Sequence, residues 1–384
     1  MQHIWQSRPT TEEMREVLSE EELNKASEYE RAKMKFAIVR NFGVFVKDIA
    51  VLCFIGKIYS RMTISFIGDD TLFFLKLFLI EMVASIPFTL YSDFVLEEQF
   101  GYNKKTLATW ITDLIFTTLI MSVISVFAYS VCFKLIEKFR SFWLYIAIFM
   151  VLFKLFMFWI YPIAIAPIFN KFTPMDKESQ LYKSIISLAK QVDFQVGSIY
   201  TMDGSKRSGH SNAYFTGLGK TKRIVFYDTL LTQMTSDRQI LAVLGHEFGH
   251  YKNGDTLCML GLNNVIFTGI LYAFNRFCER YKLPTGICLY VFMVYSGPAL
   301  LLYKAVFNSF CRFFERRADA FAVKLGFASD LIGALKVLVV KNGSTLKICP
   351  LYSLINRTHP SPIERIEHIK QHLKPKTSLK LKQE

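Results

Sequence analysis

Six apolar runs, at residues 45–60, 72–90, 111–136, 142–168, 257–277 and 289–310, constrain this chain more than any other feature. Each is about long enough to cross a hydrocarbon layer of ~30 Å as a helix, the first only marginally. A segment inside lipid must satisfy its own backbone polar groups, so runs of this length predict helices rather than open sheet. The composition agrees, because 52% hydrophobic residues including 36 phenylalanines is a membrane composition rather than that of a soluble globular chain. The expected class is therefore mainly α, a polytopic membrane protein of about six spans. Several runs carry charges, among them Lys47, Asp48, Lys76, Glu81 and Lys154. Such groups are costly against lipid and are expected to face protein or water, with Lys47 and Asp48 near enough to an end to reach headgroups.

The flanks set the orientation. Residues 1–43 form a charged, helix-like segment with no apolar core, so no cleavable signal peptide is expected. Seven basic residues there (Arg8, Arg15, Lys25, Arg31, Lys33, Lys35, Arg40) favour a cytosolic N-terminus, and an even number of spans puts both ends on that side. The net charge of +14 invites a nucleic-acid reading, but the basic residues are scattered along membrane flanks and no nucleic-acid motif is present. Anionic membrane lipid is the expected partner, and nucleic acid is not. Residues 373–384 read as a disordered basic tail, in which Lys380 and Lys382 have the spacing of an endoplasmic-reticulum retrieval signal. None of the seven cysteines sits in a CxxC pair, and all but Cys349 lie in or beside apolar runs, as core residues do.

Spans one to four occupy residues 44–169, and spans five and six occupy 257–310. Between them, residues 170–256 are polar and read as a compact subdomain, which residues 311–372 complete. Periodicity predicts a helix over 181–192 and strands over 197–202, 212–216 and 223–227, with a turn rather than a phosphate loop at 217–220. Ser236 or Asp237 is placed to cap a helix that stops near Asn253 and Gly254.

That helix carries Gly-His-Glu-Phe-Gly-His at 245–250. On an α-helix His246 and His250 lie about 40° apart on one face, with Glu247 about 60° beyond His250. Two imidazoles so placed can grip one cation, and the neighbouring carboxylate can take a proton from a water bound there. The flanking glycines leave room for other groups to approach. Two histidines do not complete a zinc site, and Glu315 is the leading third donor. Asp319 lies four residues on, on the same helical face, where it can accept the ring N–H of a ligating histidine. The competing reading pairs Glu315 and Asp319 with Arg312, Arg316 or nearby lysines on a solvated face.

The combination of His-Glu-x-x-His with Glu-x-x-x-Asp across one membrane passage resembles the type I CAAX prenyl endopeptidase family. The likeness continues in APIFNKFTP at 166–174, SKRSGHSNAYF at 205–215, KRIVFYDTL at 222–230, ADAFA at 318–322 and HPSPIER at 359–365, so it runs over roughly residues 20–370. It implies a helical barrel around a water-filled chamber, capped by a small α+β, gluzincin-like zinc metalloprotease subdomain. It implies one zinc per chain on His246, His250 and Glu315, Glu247 as general base, and Asp319 as the supporting carboxylate. It also implies that Asn212 lies on a strand that takes up an extended substrate, that His359 stabilises the oxyanion, and that Arg365 meets the substrate's C-terminal carboxylate. Read without the family, His359 opens a helix-start turn and Arg365 belongs to a surface helix. The family usually has a seventh span ahead of the segment corresponding to residues 10–40.

The activity so implied is removal of the C-terminal tripeptide from prenylated CAAX proteins or peptides. It is placed in the endoplasmic-reticulum membrane, with the inner nuclear membrane as a second location and the catalytic part facing the cytosol. Two alternatives stand beside it. One is a broader membrane quality-control metallopeptidase without prenyl specificity, and the other is a non-enzymatic membrane scaffold, for which loss of Glu247 or a ligand would be the cue.

Overall fold

The structure, a computed structural model, describes residues 18–60, 67–217, 222–346 and 348–373. The expected turn from Leu218 onward and the basic tail with Lys380 and Lys382 lie outside them. In chain order the elements are α1 (Glu20–Cys53), α2 (Ile55–Tyr59), α3 (Asp69–Glu97), α4 (Leu107–Lys138) and α5 (Phe142–Phe169). Then come β1 (Phe172–Pro174), α6 (Gln180–Gln191), β2 (Ser198–Met202), β3 (Ala213–Thr216), β4 (Arg223–Tyr227), α7 (Asp228–Gln233) and α8 (Asp237–Lys252). The chain continues with α9 (Asp255–Arg280), α10 (Thr285–Tyr295), α11 (Gly297–Lys324), α12 (Ala328–Asn342), α13 (Pro350–Asn356) and α14 (Pro362–Leu373).

Among the described residues, α3, α4, α5 and α9 are long and apolar enough to cross a membrane. The α10 and α11 pair, bent by 59°, makes a fifth if it counts as one span. The expected run at 289–310 straddles that bend. Gly297-Pro298 lies there, and a proline has no backbone donor and disfavours helical geometry in the residue before it. The expected first run, 45–60, is not among the four. It crosses the break between α1 and α2 and carries three charges, Lys47, Asp48 and Lys57.

The chain divides into two compact units. The first to consider comprises Ala32–Phe169 and Cys258–Leu301. Its helices turn large apolar side chains outward, Val123 at 71% exposure and Leu152 at 61%, which suits lipid rather than water as the surrounding solvent. Inside, Phe142 and Ile146 of α5 pack on Leu271 and Phe274 of α9 and Cys288 of α10, while Phe73 and Phe74 of α3 pack on Phe133 of α4. Several of the charges in the runs meet protein partners. Lys47 pairs with Glu81 and with Asp48, Lys76 donates to the carbonyls of Ile58 and Ser60, and Lys154 donates to Asn264 Oδ1 at 2.8 Å.

The other unit comprises Met1–Arg31, Asn170–Leu257 and Leu302–Glu384. Its four-stranded sheet has the order β1-β2-β4-β3, with β2 and β4 parallel and the other two pairs antiparallel. β3 is therefore an edge. Ile224, Val225 and Phe226 of β4 are all buried, as a central strand covered on both faces requires. Ile224 and Phe226 join a core with Ile185 and Leu188 of α6, Leu244 and Phe248 of α8, and Leu331 and Ala334 of α12. Helix α8 starts as expected, Ser236 accepting from the Gln239 amide, and stops at Asn253, followed by Gly254 in the left-handed region at φ 68°.

Candidate metal centre

Helix α8 presents His246 and His250 on one face, and α11 presents Glu315 and Asp319 on one face. The two helices come together because Gly249 has no side chain. A Cβ there would stand 2.7 Å from Ala318 Cα and 3.0 Å from its carbonyl oxygen, closer than packed atoms allow. Gly245, the other glycine of the motif, has only ordinary contacts at 3.4 Å and beyond. The expectation of close approach at both glycines thus holds at Gly249 alone.

One donor atom each from His246, His250 and Glu315 lies within 4.8 Å of the others. His250 Nε2 is 3.3 Å from Glu315 Oε1, and His246 Nε2 is 3.5 Å from Glu315 Oε2. A tetrahedral zinc with bonds of about 2.0–2.1 Å separates its ligand atoms by roughly 3.3 Å, so the group has the dimensions of such a site. Glu315 Oε2 is also buried without an aligned hydrogen-bond donor, although His359 Nδ1 lies 2.9 Å away. A buried carboxylate oxygen in that condition is costly unless a cation completes it. Two imidazoles and a carboxylate therefore fit a metal ion, in donor type and in spacing.

The outer nitrogens of both rings are engaged. His246 Nδ1 is 2.8 Å from Asp319 Oδ1, as expected for the supporting carboxylate. His250 Nδ1 is 3.0 Å from Asp255 Oδ2, a partner the sequence reading missed. These carboxylate acceptors place a proton on each Nδ1 and turn both Nε2 atoms toward the shared space. Asp255 is in turn approached by Arg317 Nη1 at 3.5 Å, and Arg317 donates to the Asn253 carbonyl. The available signal was a carboxylate just beyond the helix stop, five residues after the second histidine.

Charge is balanced around these groups. Burial raises the Glu247 carboxyl above its ordinary range, with Glu315 adding to the rise while His246, His250 and Arg365 oppose it. Burial works against a charged His250, yet Glu315, Glu247 and Asp255 prevail and raise the ring to about 9. Arg365 sits inside this cluster rather than on a surface. Its Nε and Nη2 donate to the two oxygens of Asp319 at 2.9 and 2.6 Å, leaving Nη1 3.6 Å from Glu315. The expected alternative pairing of Arg312 with these carboxylates does not occur; Arg312 donates to the carbonyls of Ser353 and Arg357. Asn212 is exposed at the start of β3, its carbonyl accepting from the Tyr227 amide.

Residues 1–171 match a family model described as CAAX prenyl protease N-terminal, five membrane helices, and residues 176–373 match peptidase family M48. CAAX prenyl protease 1 of Saccharomyces cerevisiae is 34% identical over 92% of this chain and 86% of its own length. The chain belongs to the CAAX prenyl protease family of M48 peptidases. A Dictyostelium discoideum homolog of CAAX prenyl protease 1 is 37% identical, over 76% of this chain and 70% of that protein. The crystal structure of S. mikatae Ste24p superposes with a TM-score of 0.90 at 32% identity, covering 96% of this chain and 93% of that one. As a member of this family the chain is an integral-membrane metalloendopeptidase, and the scaffold alternative falls away. The expected class, a mainly helical membrane protein with a small α+β protease part, is the class observed.

Proposed function

We propose that this protein is a zinc endopeptidase that removes the C-terminal tripeptide from prenylated CAAX proteins. The observation that carries the reading is the gathering of one donor atom each from His246, His250 and Glu315 within 4.8 Å of one another, in a chain of this family. Zinc held there, one ion per chain, would supply a Lewis acid toward the scissile carbonyl and the attacking water.

The chain's own residues divide the remaining work. Glu247, with its carboxyl raised by burial, takes the proton of the attacking water and returns it to the leaving amine. His359, remote from Glu247 in sequence but with Nδ1 2.9 Å from Glu315 Oε2, donates to the developing oxyanion. Asp319 holds the proton on His246 Nδ1, and Asp255 does the same for His250. The edge of β3, beginning at Asn212, offers main-chain groups to an extended peptide that adds as a further strand. Arg365, fixed by Asp319 through one edge of its guanidinium, keeps Nη1 for the carboxylate at the substrate's C-terminus.

A prenylated substrate is held in the bilayer by its lipid, which raises its local concentration at a membrane-embedded enzyme. The endoplasmic-reticulum membrane, and the inner nuclear membrane continuous with it, is the proposed location. The catalytic residues are proposed to face the cytosol, as the basic N-terminal flank favours. The test compares cleavage of a farnesylated CAAX peptide with its unprenylated twin by the purified full-length protein. The farnesylated peptide is expected to be cut faster; equal rates would replace this reading with a metallopeptidase lacking prenyl specificity.

A further inference from the structure

His359 has the least support of any group in the cluster. Its side chain is 64% exposed, and its recorded partner is Glu315 Oε2 alone. A ring so exposed keeps one position only if its backbone is fixed, and the backbone just before it is fixed in an unusual way. Helix α13 ends at Asn356, and the last carbonyls of any helix lack partners within it. Here the carbonyls at the end of α13 are met by side chains from α11, that of Ser353 in addition to the Arg357 amide. Asn308, 3% exposed, donates Nδ2 to the carbonyls of Ile355 at 2.7 Å and Leu354 at 3.4 Å. Arg312 donates Nη1 to the carbonyls of Ser353 at 3.0 Å and Arg357 at 2.8 Å, while its Nη2 is steadied by Ser309 Oγ. A cation at a helix C-terminus is also favoured by the helix dipole.

Asn308 and Arg312 lie on the same helix as Glu315, about two turns and one turn earlier respectively. Two residues beyond the last braced carbonyl comes His359. On its far side Ser361 forms a capping box with Glu364, the Ser361 amide donating to Glu364 Oε2 at 2.8 Å and the Glu364 amide to Ser361 Oγ. The segment 357–361 is thus strung between two anchored ends. We propose that Arg312, aided by Asn308, is a positioning residue that fixes the reach of His359 toward the metal centre. α11 would then set both sides of the reaction space, Glu315 directly and His359 through these carbonyls. This inference rests on the proposed role of His359.

A lysine has the charge of Arg312 but not its fork, so it cannot be expected to hold two carbonyls four residues apart in the same way. The experiment measures cleavage of a farnesylated peptide by full-length wild type, Arg312→Lys, His359→Ala and the double variant, with metal content and thermal unfolding of each. Arg312→Lys is expected to lower kcat by about tenfold to a hundredfold with KM little changed, the scale that a roughly 1 Å misplacement produces. Its metal content should equal that of wild type. In the His359→Ala background the same substitution should cost less than about twofold, because the group it positions is gone. A loss of equal size in both backgrounds would overturn the inference, as would an undiminished kcat in Arg312→Lys or in His359→Ala. Should wild type itself fail to cut the peptide, the proposed function fails with it, and that result is distinct from either of the others.

Discussion

The two units of this chain use the same residue types in opposite ways. In Ala32–Phe169 and Cys258–Leu301 large apolar side chains face outward, and charges within the apolar runs meet nearby partners, as Lys47 does Glu81 and Lys154 does Asn264. In the unit with the sheet, Ile185, Ile224, Phe226 and Phe248 are fully buried, and charge is gathered on purpose around Glu315. The lesson concerns tolerance. An isolated intramembrane pair needs only to be neutralised, whereas a cluster of carboxylates and imidazoles works only if every member keeps its place and its proton.

The largest effect that sharpens this contrast is expected from Glu247→Gln. It should lower kcat by about 10²–10⁴-fold while metal content stays at wild-type level, since Glu247 is assigned to proton transfer and not to binding the ion. Cleavage at the wild-type rate would remove Glu247 from the mechanism.

Next in size is the pH dependence of metal uptake. In the metal-free protein His250 titrates at about 9, so it is protonated at neutral pH, and the ion must displace that proton. Zinc affinity should therefore rise by about tenfold per pH unit from pH 6 to 8, with proton release seen by calorimetry in buffers of different ionisation enthalpy. A pH-independent affinity over that range would show that His250 is not a ligand.

Asp255→Asn is expected to weaken zinc affinity by about 10–100-fold, read by competition with a chelator, because His250 loses the acceptor that fixes its ring. An unchanged affinity would make Asp255 a bystander. The smallest effect belongs to the membrane unit. Lys47→Met should lower stability in detergent by about 1 kcal/mol, and Lys47→Met with Glu81→Met should recover most of it, because the second change removes the unpaired charge. Metal content should not move in either variant; if it does, the two units are less independent than their chemistry indicates.

The sequence was informative wherever a period or a spacing carries the signal. The 3.6-residue repeat placed His246, His250, Glu315 and Asp319 on the right faces, and the strands at 197–202, 212–216 and 223–227 appear within a residue of their expected bounds. It marked the stop at Asn253 and Gly254 but not what the reversal there brings back onto the helix. Asp255 reaches His250 only because the chain turns at Asn253 and the left-handed Gly254, which no periodic pattern encodes. The surroundings of Arg312 and Arg365 were hidden for a related reason. An arginine near carboxylates reads as a salt bridge, but Arg312 donates to the carbonyls of Ser353 and Arg357 and Arg365 is drawn inside onto Asp319. Hydropathy likewise marked 289–310 as one run and could not register the bend between α10 and α11.

One consequence follows from the missing side chain at Gly249. The gap between α8 and α11 is set there by backbone against backbone, with no rotamer that can adjust, so the distance from the two imidazoles to Glu315 is a fixed gauge. Flexible side chains at that seam would let the opening breathe and admit ions of several sizes. With only a hydrogen atom between the two backbones at Gly249, the spacing of the helices that carry the imidazoles and Glu315 is written into the helix contact itself.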